Sequence, residues 1–352
     1  MRVPPPYAGG GTRTVGPRTR SVRSEKGTRD VVRVAVIDDY AGAAAALDCW
    51  ADLPDGVEAV FFDDHVTDPD ELVERLGPFE AVIAMRERTP FPAALLERLP
   101  ALRLLVTTGM HNAAVDIEAA RALGVTVCGT RLRPYPAAEM TWSLILGLVK
   151  RTCAEDAALR SGVWQTGLGR DLDGAVLGVV GLGKLGSRVA AVGRAFGMEV
   201  LAWSQNLTPE RAAREGARAV SKEELLRRSD VVTLHLRLSG RTRSVLSGPD
   251  LRLMKPTAYL VNTSRAPLVE EAALLTALHE GWIAGAGLDV HHQEPLPPDH
   301  PVLRAPNTLL TPHLGYATHG TFELCYSDAV ECVSAFLAGE PVRVLPGEPG
   351  AA

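Results

Sequence analysis

The sequence predicts an α/β protein built on two doubly wound parallel sheets, and three observations carry that prediction. Its 352 residues are enough for two domains, and 46% of them are apolar, so each domain can bury a core. Short β-branched runs alternate with helix-compatible stretches, the pattern of a parallel sheet covered by helices on both faces. A break with two prolines, at residues 131–136, divides that rhythm into two series.

The first series opens with a strand at 31–38 that ends in Asp38 and Asp39, followed by an alanine-rich helical stretch. It continues as strand 57–62, helix 70–76, strand 81–85, helix 93–99, strand 104–107 and a last strand at 125–129. Beyond the break, residues 137–160 keep helical composition throughout, with Trp142, Ile145, Leu146 and Val149 on one repeating face. One long helix, shared between domains or subunits, is expected there. The second series comprises strand 175–180, helix 184–196, strand 199–203, helix 222–228, strand 230–234, strand 258–262, helix 267–280, strand 283–290 and strand 309–313. Pro267 suits a first helical turn and Gly281 a helix end. An apolar-periodic helix at 321–338 closes the pattern, and no short repeat indicates a solenoid. The outcome expected of two such series is a bilobed molecule with a cleft.

Composition excludes several functions. With 37 Lys and Arg against 42 Asp and Glu, the net charge is −5, so no overall positive field draws the chain to nucleic acid or an acidic membrane. No apolar run reaches the ~18 residues of a spanning helix. Residues 1–30 form a local exception, with Arg2, Arg13, Arg18, Arg20, Arg23, Lys26 and Arg29 against Glu25 and Asp30. This extension is rich in Gly, Pro, Ser and Thr and is expected to be disordered. It has neither the apolar stretch of a secretory signal nor the amphipathic pattern of a transit peptide. The tail 346–352 is expected to be disordered too. Cys49, Cys128, Cys153, Cys325 and Cys332 form no CxxC pair and are odd in number, which fits reduced thiols in a cytoplasmic protein.

The chemistry begins where strand 175–180 runs into Gly181-Leu182-Gly183-Lys184-Leu185-Gly186 and a helix. In that setting Gly181 allows a tight turn, Gly183 lets a pyrophosphate approach the backbone, and Gly186 lets helix and strand pack closely. The helix start supplies amide donors to the anion. Dinucleotide binding in a Rossmann-like domain is the expectation. NAD enzymes usually place a carboxylate at the end of the next strand, whereas here Ser204, Gln205 and Asn206 come after Trp203. The pattern accommodates NAD(H), with Ser204 or Asn206 on the ribose, or NADP(H), although no arginine stands immediately there and Arg211 and Arg214 lie further along. Adjacent His291 and His292 would point in opposite directions on an extended segment, so no metal site is expected.

Four further words come after the fingerprint in order: Met254-Lys255-Pro256-Thr257-Ala258, Val261-Asn262-Thr263-Ser264-Arg265, Gly287-Leu288-Asp289-Val290 through Glu294-Pro295, and Leu310-Thr311-Pro312-His313-Leu314-Gly315. With them the chain resembles the D-isomer-specific 2-hydroxyacid dehydrogenases, the family of phosphoglycerate, glyoxylate and D-lactate dehydrogenases, over about residues 31–345. The words Met85-Arg86-Glu87-Arg88-Thr89-Pro90 and Trp203-Ser204-Gln205-Asn206-Leu207-Thr208 look like a less defined branch of it. The resemblance implies a Rossmann cofactor domain, 131–313, inserted into a flavodoxin-like substrate domain made of 31–130 and 314–345. It also implies a homodimer, with the 137–160 helix near its interface, that transfers hydride between NAD(P)H and a small anionic 2-keto or D-2-hydroxy acid.

Carried over residue by residue, the resemblance implies that His313 is the general acid/base, Glu294 its partner and Arg265 the substrate anchor. Thr263 and Asp289 are cofactor-side positions, the latter approaching the nicotinamide carboxamide. The chemistry suits these roles, because an alkoxide formed by hydride addition needs a proton donor active near neutrality. A carboxylate on the far ring nitrogen fixes the tautomer and favours the imidazolium. A guanidinium can bond both the carbonyl oxygen and the carboxylate. In the first domain, Arg86 and the loop Gly109-Met110-His111 are implied substrate contacts. Two departures from the family stand out: Ala266-Pro267 replaces the glycine that usually comes directly after the anchor arginine, and His111 stands where relatives often carry arginine. Ala266, preceding a proline, is expected to be extended. An alternative function in the same fold is a cofactor-sensing binding protein resembling the C-terminal-binding corepressors.

Overall fold

The computed structural model describes residues 19–23 and 31–346, which fall into two compact units. The first holds the described residues up to Leu132 and those from Phe322 onward, and the second runs from Arg133 to Thr321.

The first unit is built on a six-stranded sheet: β1 (Thr19–Arg23), β2 (Val32–Val36), β3 (Val57–Phe62), β4 (Ala81–Ala84), β5 (Leu104–Thr107) and β6 (Thr126–Gly129). Their order is β1-β3-β2-β4-β5-β6, with β2 to β6 parallel and β1 antiparallel on the β3 edge. Helices α1 (Pro69–Leu76), α2 (Ala93–Leu96) and α3 (Ile117–Ala122) lie on the crossovers. Strands β4 and β5 are buried along their whole length, as continuous apolar runs in a doubly covered parallel sheet should be.

Two expectations need correction here. Five residues of the extension expected to be disordered, Thr19–Arg23, form β1. An added edge strand needs backbone pairing and not apolar residues of its own, and β3 would otherwise present an open edge. The rest of residues 1–30 lies outside the described residues. The alanine-rich stretch after Asp39 forms no α-helix, only a short 3-10 helix at Asp48–Asp52. The buried Asp39 carboxylate accepts the amides of Ala44 and Ala45 at 3.0 and 3.1 Å, an alternative that competes with helical bonding.

The second unit carries seven parallel strands: β7 (Val176–Val180), β8 (Glu199–Trp203), β9 (Arg218–Ala219), β10 (Val231–Leu234), β11 (Tyr259–Asn262), β12 (Gly285–Leu288) and β13 (Thr308–Leu310). The order β13-β12-β11-β10-β7-β8-β9 reverses direction between β7 and β10. This is the doubly wound dinucleotide-binding arrangement, with its switch point beside the glycine turn. The helices are α4 (Pro136–Val149), α5 (Thr152–Arg160), α6 (Lys184–Ala195), α7 (Pro209–Arg214), α8 (Lys222–Arg228), α9 (Gly248–Leu251) and α10 (Glu271–His279). Helix α4 buries Trp142, Leu144, Ile145 and Leu148, and packs so closely on β12 that a Cβ on Gly287 would lie 3.1 Å from Leu144.

The single long helix expected over 137–160 is two helices. Arg151 adopts a left-handed φ of 57°, and the Val149 carbonyl, which would extend the ladder, accepts Arg170 N–H at 2.9 Å instead. Lys150 Nζ donates to the Arg170 carbonyl at 2.8 Å. A passing loop thus takes over the hydrogen bonds that would have continued the helix.

The last helix, α11 (His319–Leu337), begins at the end of the second unit and supplies the first with Cys325, Tyr326, Ala329, Val330 and Val333 as buried residues. Trp50 packs between Phe61 and Tyr326 at ring distances of 4.9 and 5.6 Å. Residues 343–345 then pair with β6, through Gly129 N–H on the Arg343 carbonyl and Leu345 N–H on Val127. Residues 314–321, placed by sequence in the first domain, stay with the second unit. The expected tail lies outside the described residues beyond 346.

Candidate active site

In the second unit most residues singled out by sequence stand shortly past the carboxyl end of a strand, while Lys184, Leu185 and Gly186 open α6 and Glu294 lies in the loop beyond β12. Gly181 comes after β7, Ser204 and Asn206 after β8, Thr263 and Arg265 after β11, Asp289 after β12 and His313 after β13. Parallel packing brings these ends to one edge of the sheet, the edge where open α/β sheets bind ligands.

The glycine turn fits a dinucleotide. Gly181 has φ 102°, and a Cβ there would meet the His235 carbonyl at 2.8 Å. A Cβ on Gly186 would overlap the Gly181 carbonyl oxygen, so this glycine is required for α6 to start where it does. Around Gly183 nothing lies within 4 Å of where a Cβ would stand, which leaves the backbone open to a phosphate. Gly183 is also the N-cap of α6 and offers no side chain to the first amides, including those of Lys184 and Leu185. Thr263 Oγ1 is 2.7 Å from Thr141 Oγ1, which ties the end of β11 to α4. Beyond the end of β8, the Arg211 guanidinium meets the Asn206 carbonyl at 3.4 Å, so a positive charge stands beside Asn206.

His313 and Glu294 are brought together. His313 Nδ1 lies 2.6 Å from Glu294 Oε2, while Glu294 Oε1 accepts His291 N–H at 2.8 Å. Burial works to raise the Glu294 carboxyl, but the His313 bond and charge and the His291 amide outweigh it and hold the group below its usual range. The ring of Tyr316 stands edge-on to the imidazole, with centroids 5.5 Å apart. His313 itself has a left-handed φ of 55°, a conformation that costs about 1–3 kcal/mol unless its surroundings hold it.

Asp289 supplies that hold. Its Oδ1 accepts the Thr311 hydroxyl at 2.6 Å and Leu314 N–H at 2.7 Å, and its Oδ2 accepts Gly315 N–H at 2.7 Å. A buried carboxylate thus clamps both flanks of the histidine turn. Burial raises the Asp289 carboxyl against the pull of those three donors. The same bonds hold Leu314 and Gly315 to this unit.

Arg265 is extended, with φ −145°, and donates from Nη1 to the Ser264 carbonyl at 2.9 Å. Asn262 builds the turn before it, donating from Nδ2 to the Arg265 carbonyl at 3.0 Å and accepting Ser264 N–H at 3.0 Å. Ala266 is not extended as expected but opens a 3-10 turn, Ala266–Leu268, closed by Leu268 N–H on the Arg265 carbonyl at 3.2 Å. Those bonds override the mild preference imposed by Pro267.

In the first unit Arg86 and the 109–111 loop form one structure. Arg86, at φ 51°, has its amide on Thr108 Oγ1 at 2.9 Å, its Nη1 on the Thr108 carbonyl at 3.0 Å and its carbonyl on Asn112 Nδ2 at 2.6 Å. The guanidinium lies where a Gly109 side chain would be. Met110 is exposed, as is His111. Sequence reasoning passed over Asn262, Thr311, Tyr316 and Asn112, which shape the turns around the named residues. Asn262 and Thr311 lie inside the words that carry Arg265 and His313, but their partners are fixed only by the fold.

The fold and these turns define a nicotinamide-dependent oxidoreductase with a dinucleotide-binding unit. Residues 142–315 match the family model of the D-isomer specific 2-hydroxyacid dehydrogenase NAD binding domain. A glyoxylate reductase from Aeropyrum pernix is 40% identical over 70% of this chain and 76% of its own length. A glycerate dehydrogenase from Methylorubrum extorquens is 36% identical over 79% and 88%. Among solved structures, a putative D-3-phosphoglycerate dehydrogenase from Ralstonia solanacearum superposes with a TM-score of 0.85 at 38% identity, over 89% of this chain and 96% of that one. The chain belongs to the D-isomer-specific 2-hydroxyacid dehydrogenase family and is a 2-hydroxyacid oxidoreductase that uses a nicotinamide cofactor. Among the described residues no helix is long and apolar enough to cross a membrane, and no cluster of three or more His, Cys, Asp or Glu could hold a metal.

Proposed function

We propose that the protein reduces a small 2-oxo acid of the glyoxylate or hydroxypyruvate class to the corresponding 2-hydroxy acid, the D isomer where C2 becomes a stereocentre, with His313 as proton donor. The observation that carries this is the 2.6 Å contact between His313 Nδ1 and Glu294, on a turn held by Asp289. Bound NADH or NADPH supplies a hydride to the carbonyl carbon. His313, with Nδ1 held by Glu294, delivers the proton from Nε2 to the carbonyl oxygen as negative charge develops there. Arg265 pairs with the substrate carboxylate and polarises the carbonyl, a role its fixed charge and forked donors suit. Arg86 and the backbone of Gly109, Met110 and His111 are assigned to substrate binding, which the bonds that join Arg86 to Thr108 and Asn112 support. Cofactor contacts are assigned to Gly181, Gly183, Lys184, Leu185, Gly186, Ser204, Asn206, Thr263 and Asp289, whose positions beyond strand ends and at the start of α6 support them.

The same proposal includes a homodimer in the cytoplasm. Its support is the exposed pair Trp164 and Leu168 in the second unit, and five cysteines that are all free thiols. The test is to assay NADH and NADPH oxidation with glyoxylate, hydroxypyruvate and longer 2-keto acids, for the wild type and His313→Ala. Loss of turnover with cofactor binding intact is expected, and retained turnover in His313→Ala would sink the assignment. Tight cofactor binding by the wild type with no turnover on any keto acid would favour the sensing protein instead.

A further inference from the structure

A second buried network lies in the first unit, at the carboxyl ends of three adjacent strands. Asp38, just after β2, is 1% exposed and adopts a left-handed φ of 62°. Its Oδ1 meets His65 Nδ1, from the loop after β3, at 2.7 Å. Its Oδ2 accepts the Thr89 hydroxyl, from the loop after β4, at 2.7 Å. Its carbonyl accepts Arg88 Nη1 at 2.8 Å, and the Arg88 guanidinium lies 4.3 Å from the centre of the Tyr40 ring. Tyr40 O–H reaches Asp38 Oδ1 at 3.5 Å, and its ring stands edge-on to His65 at 6.5 Å.

The topology gives this network its importance. Strand β2 lies between β3 and β4, so the chain leaves it to one side and returns on the other. Loops diverge at such a switch point, and an open α/β sheet places its ligand contacts there. Asp38 draws the three loops together, and two of its partners, Arg88 and Thr89, sit on the turn that carries Arg86. That turn is closed by Arg88 N–H on the Met85 carbonyl at 3.3 Å. Arg86 is thus fixed from two sides, by Thr108 and Asn112 on one and by the Asp38 network on the other.

A buried carboxylate in a strained backbone conformation is costly unless fully bonded, and removing one partner loosens everything it holds. The neighbouring Asp39, by contrast, only caps its own local turn. We infer that Asp38, with His65 and Thr89, is the positioning device for Arg86 and so sets the affinity of the first unit for the substrate's anionic end. This rests on the reading of Arg86 as a substrate contact. Asp38, His65 and Thr89 are positioning residues, since they act through the Arg86 turn.

The test uses the full-length protein and hydroxypyruvate. Thr89→Val removes one hydroxyl at nearly constant volume, His65→Phe removes the ring nitrogen, and Thr89→Ser restores the hydroxyl. Thr89→Val and His65→Phe are each expected to raise KM for hydroxypyruvate about ten-fold while kcat changes little, the signature of lost uniform binding. Fluorescence titration should show cofactor Kd unchanged, and Thr89→Ser should return KM to the wild-type value. A role confined to stability would lower the melting temperature of both variants without moving KM. Wild-type KM in Thr89→Val and His65→Phe, with a raised KM in Arg86→Gln, would overturn the inference. Unchanged KM in Arg86→Gln would overturn the reading of Arg86 itself, and the inference with it.

Discussion

The two carboxylates near His313 are displaced in opposite directions, and the signs have different consequences. Burial pulls Glu294 upward, but its bonds to His313 and the His291 amide leave its folded value depressed. Such a group contributes stability above its unfolded pKa of about 4.3, and that contribution is lost as pH falls through the folded value. Glu294→Gln keeps an acceptor and removes the charge, so it should lower kcat for keto-acid reduction by about 10²–10⁴-fold. The wild-type melting temperature should also fall toward that of the variant as pH drops below about 4. Parallel pH-rate profiles and thermal melts check both, and a variant with wild-type kcat would remove Glu294 from the mechanism. Asp289 is raised chiefly by burial, so its ionised form costs stability at neutral pH, a cost that disappears only below its unfolded pKa of about 3.9. The molecule bears it because the charge clamps the turn at Leu314 and Gly315. His313 and Glu294 each sit in a recognisable word, and their side chains meet as the resemblance implied. That a second carboxylate holds both flanks of the histidine turn was not legible, because the bonds join Asp289 to residues 22 to 26 positions away.

Among the elements, those whose signals are local were the legible ones. Strands β8 and β3 and the start of α6 fall where the β-branched runs and the glycine turn put them. The element that departs most is the helix over 137–160, and its composition is not at fault. The break at Arg151 comes from the loop through Arg170, a partner that no helical periodicity can reveal. Gly186 shows the opposite case, in which one residue type is forced by close packing. Gly186→Ala would drive a methyl into the Gly181 carbonyl and displace the start of α6. Loss of measurable NAD(P)H binding and a lower melting temperature are expected, checked by fluorescence titration and calorimetry; wild-type affinity would contradict the packing argument. Helix α7 adds what the order of residues leaves open, because the Arg211 guanidinium reaches back to the Asn206 carbonyl. Arg211→Gln should weaken NADPH by about ten-fold, the value of one charge-assisted hydrogen bond, and NADH much less. Equal effects on the two cofactors, measured by titration, would show that Arg211 does not face the 2′-phosphate.

At the scale of the whole molecule, the order of motifs revealed the nested organisation, while its limits depend on hydrogen bonds. The chain passes to the second unit near Leu132 and returns at Phe322, later than the expected residue 314, and the Asp289 clamp holds Leu314 and Gly315 beside the histidine turn. What sequence could not supply was the surface. At the end of α5 and just beyond it the second unit presents Leu159, Val163, Trp164 and Leu168, with Trp164 81% and Leu168 82% exposed. Scattered apolar residues on a surface need no explanation, but a tryptophan and three aliphatics exposed within ten positions make a candidate contact. Homo-oligomers most often close by two-fold symmetry, in which one patch meets its own copy. The tryptophan can supply the central anchor of such an interface. Equilibrium sedimentation should therefore give twice the monomer mass for the wild type and a single monomer mass for Trp164→Glu with Leu168→Glu. The double variant should keep its circular dichroism and its NAD(P)H affinity, because neither residue lies near the glycine turn in sequence or takes part in the histidine network. A wild type that sediments as a monomer, or a dimer that survives both substitutions, would assign this patch to something other than a second copy of the chain.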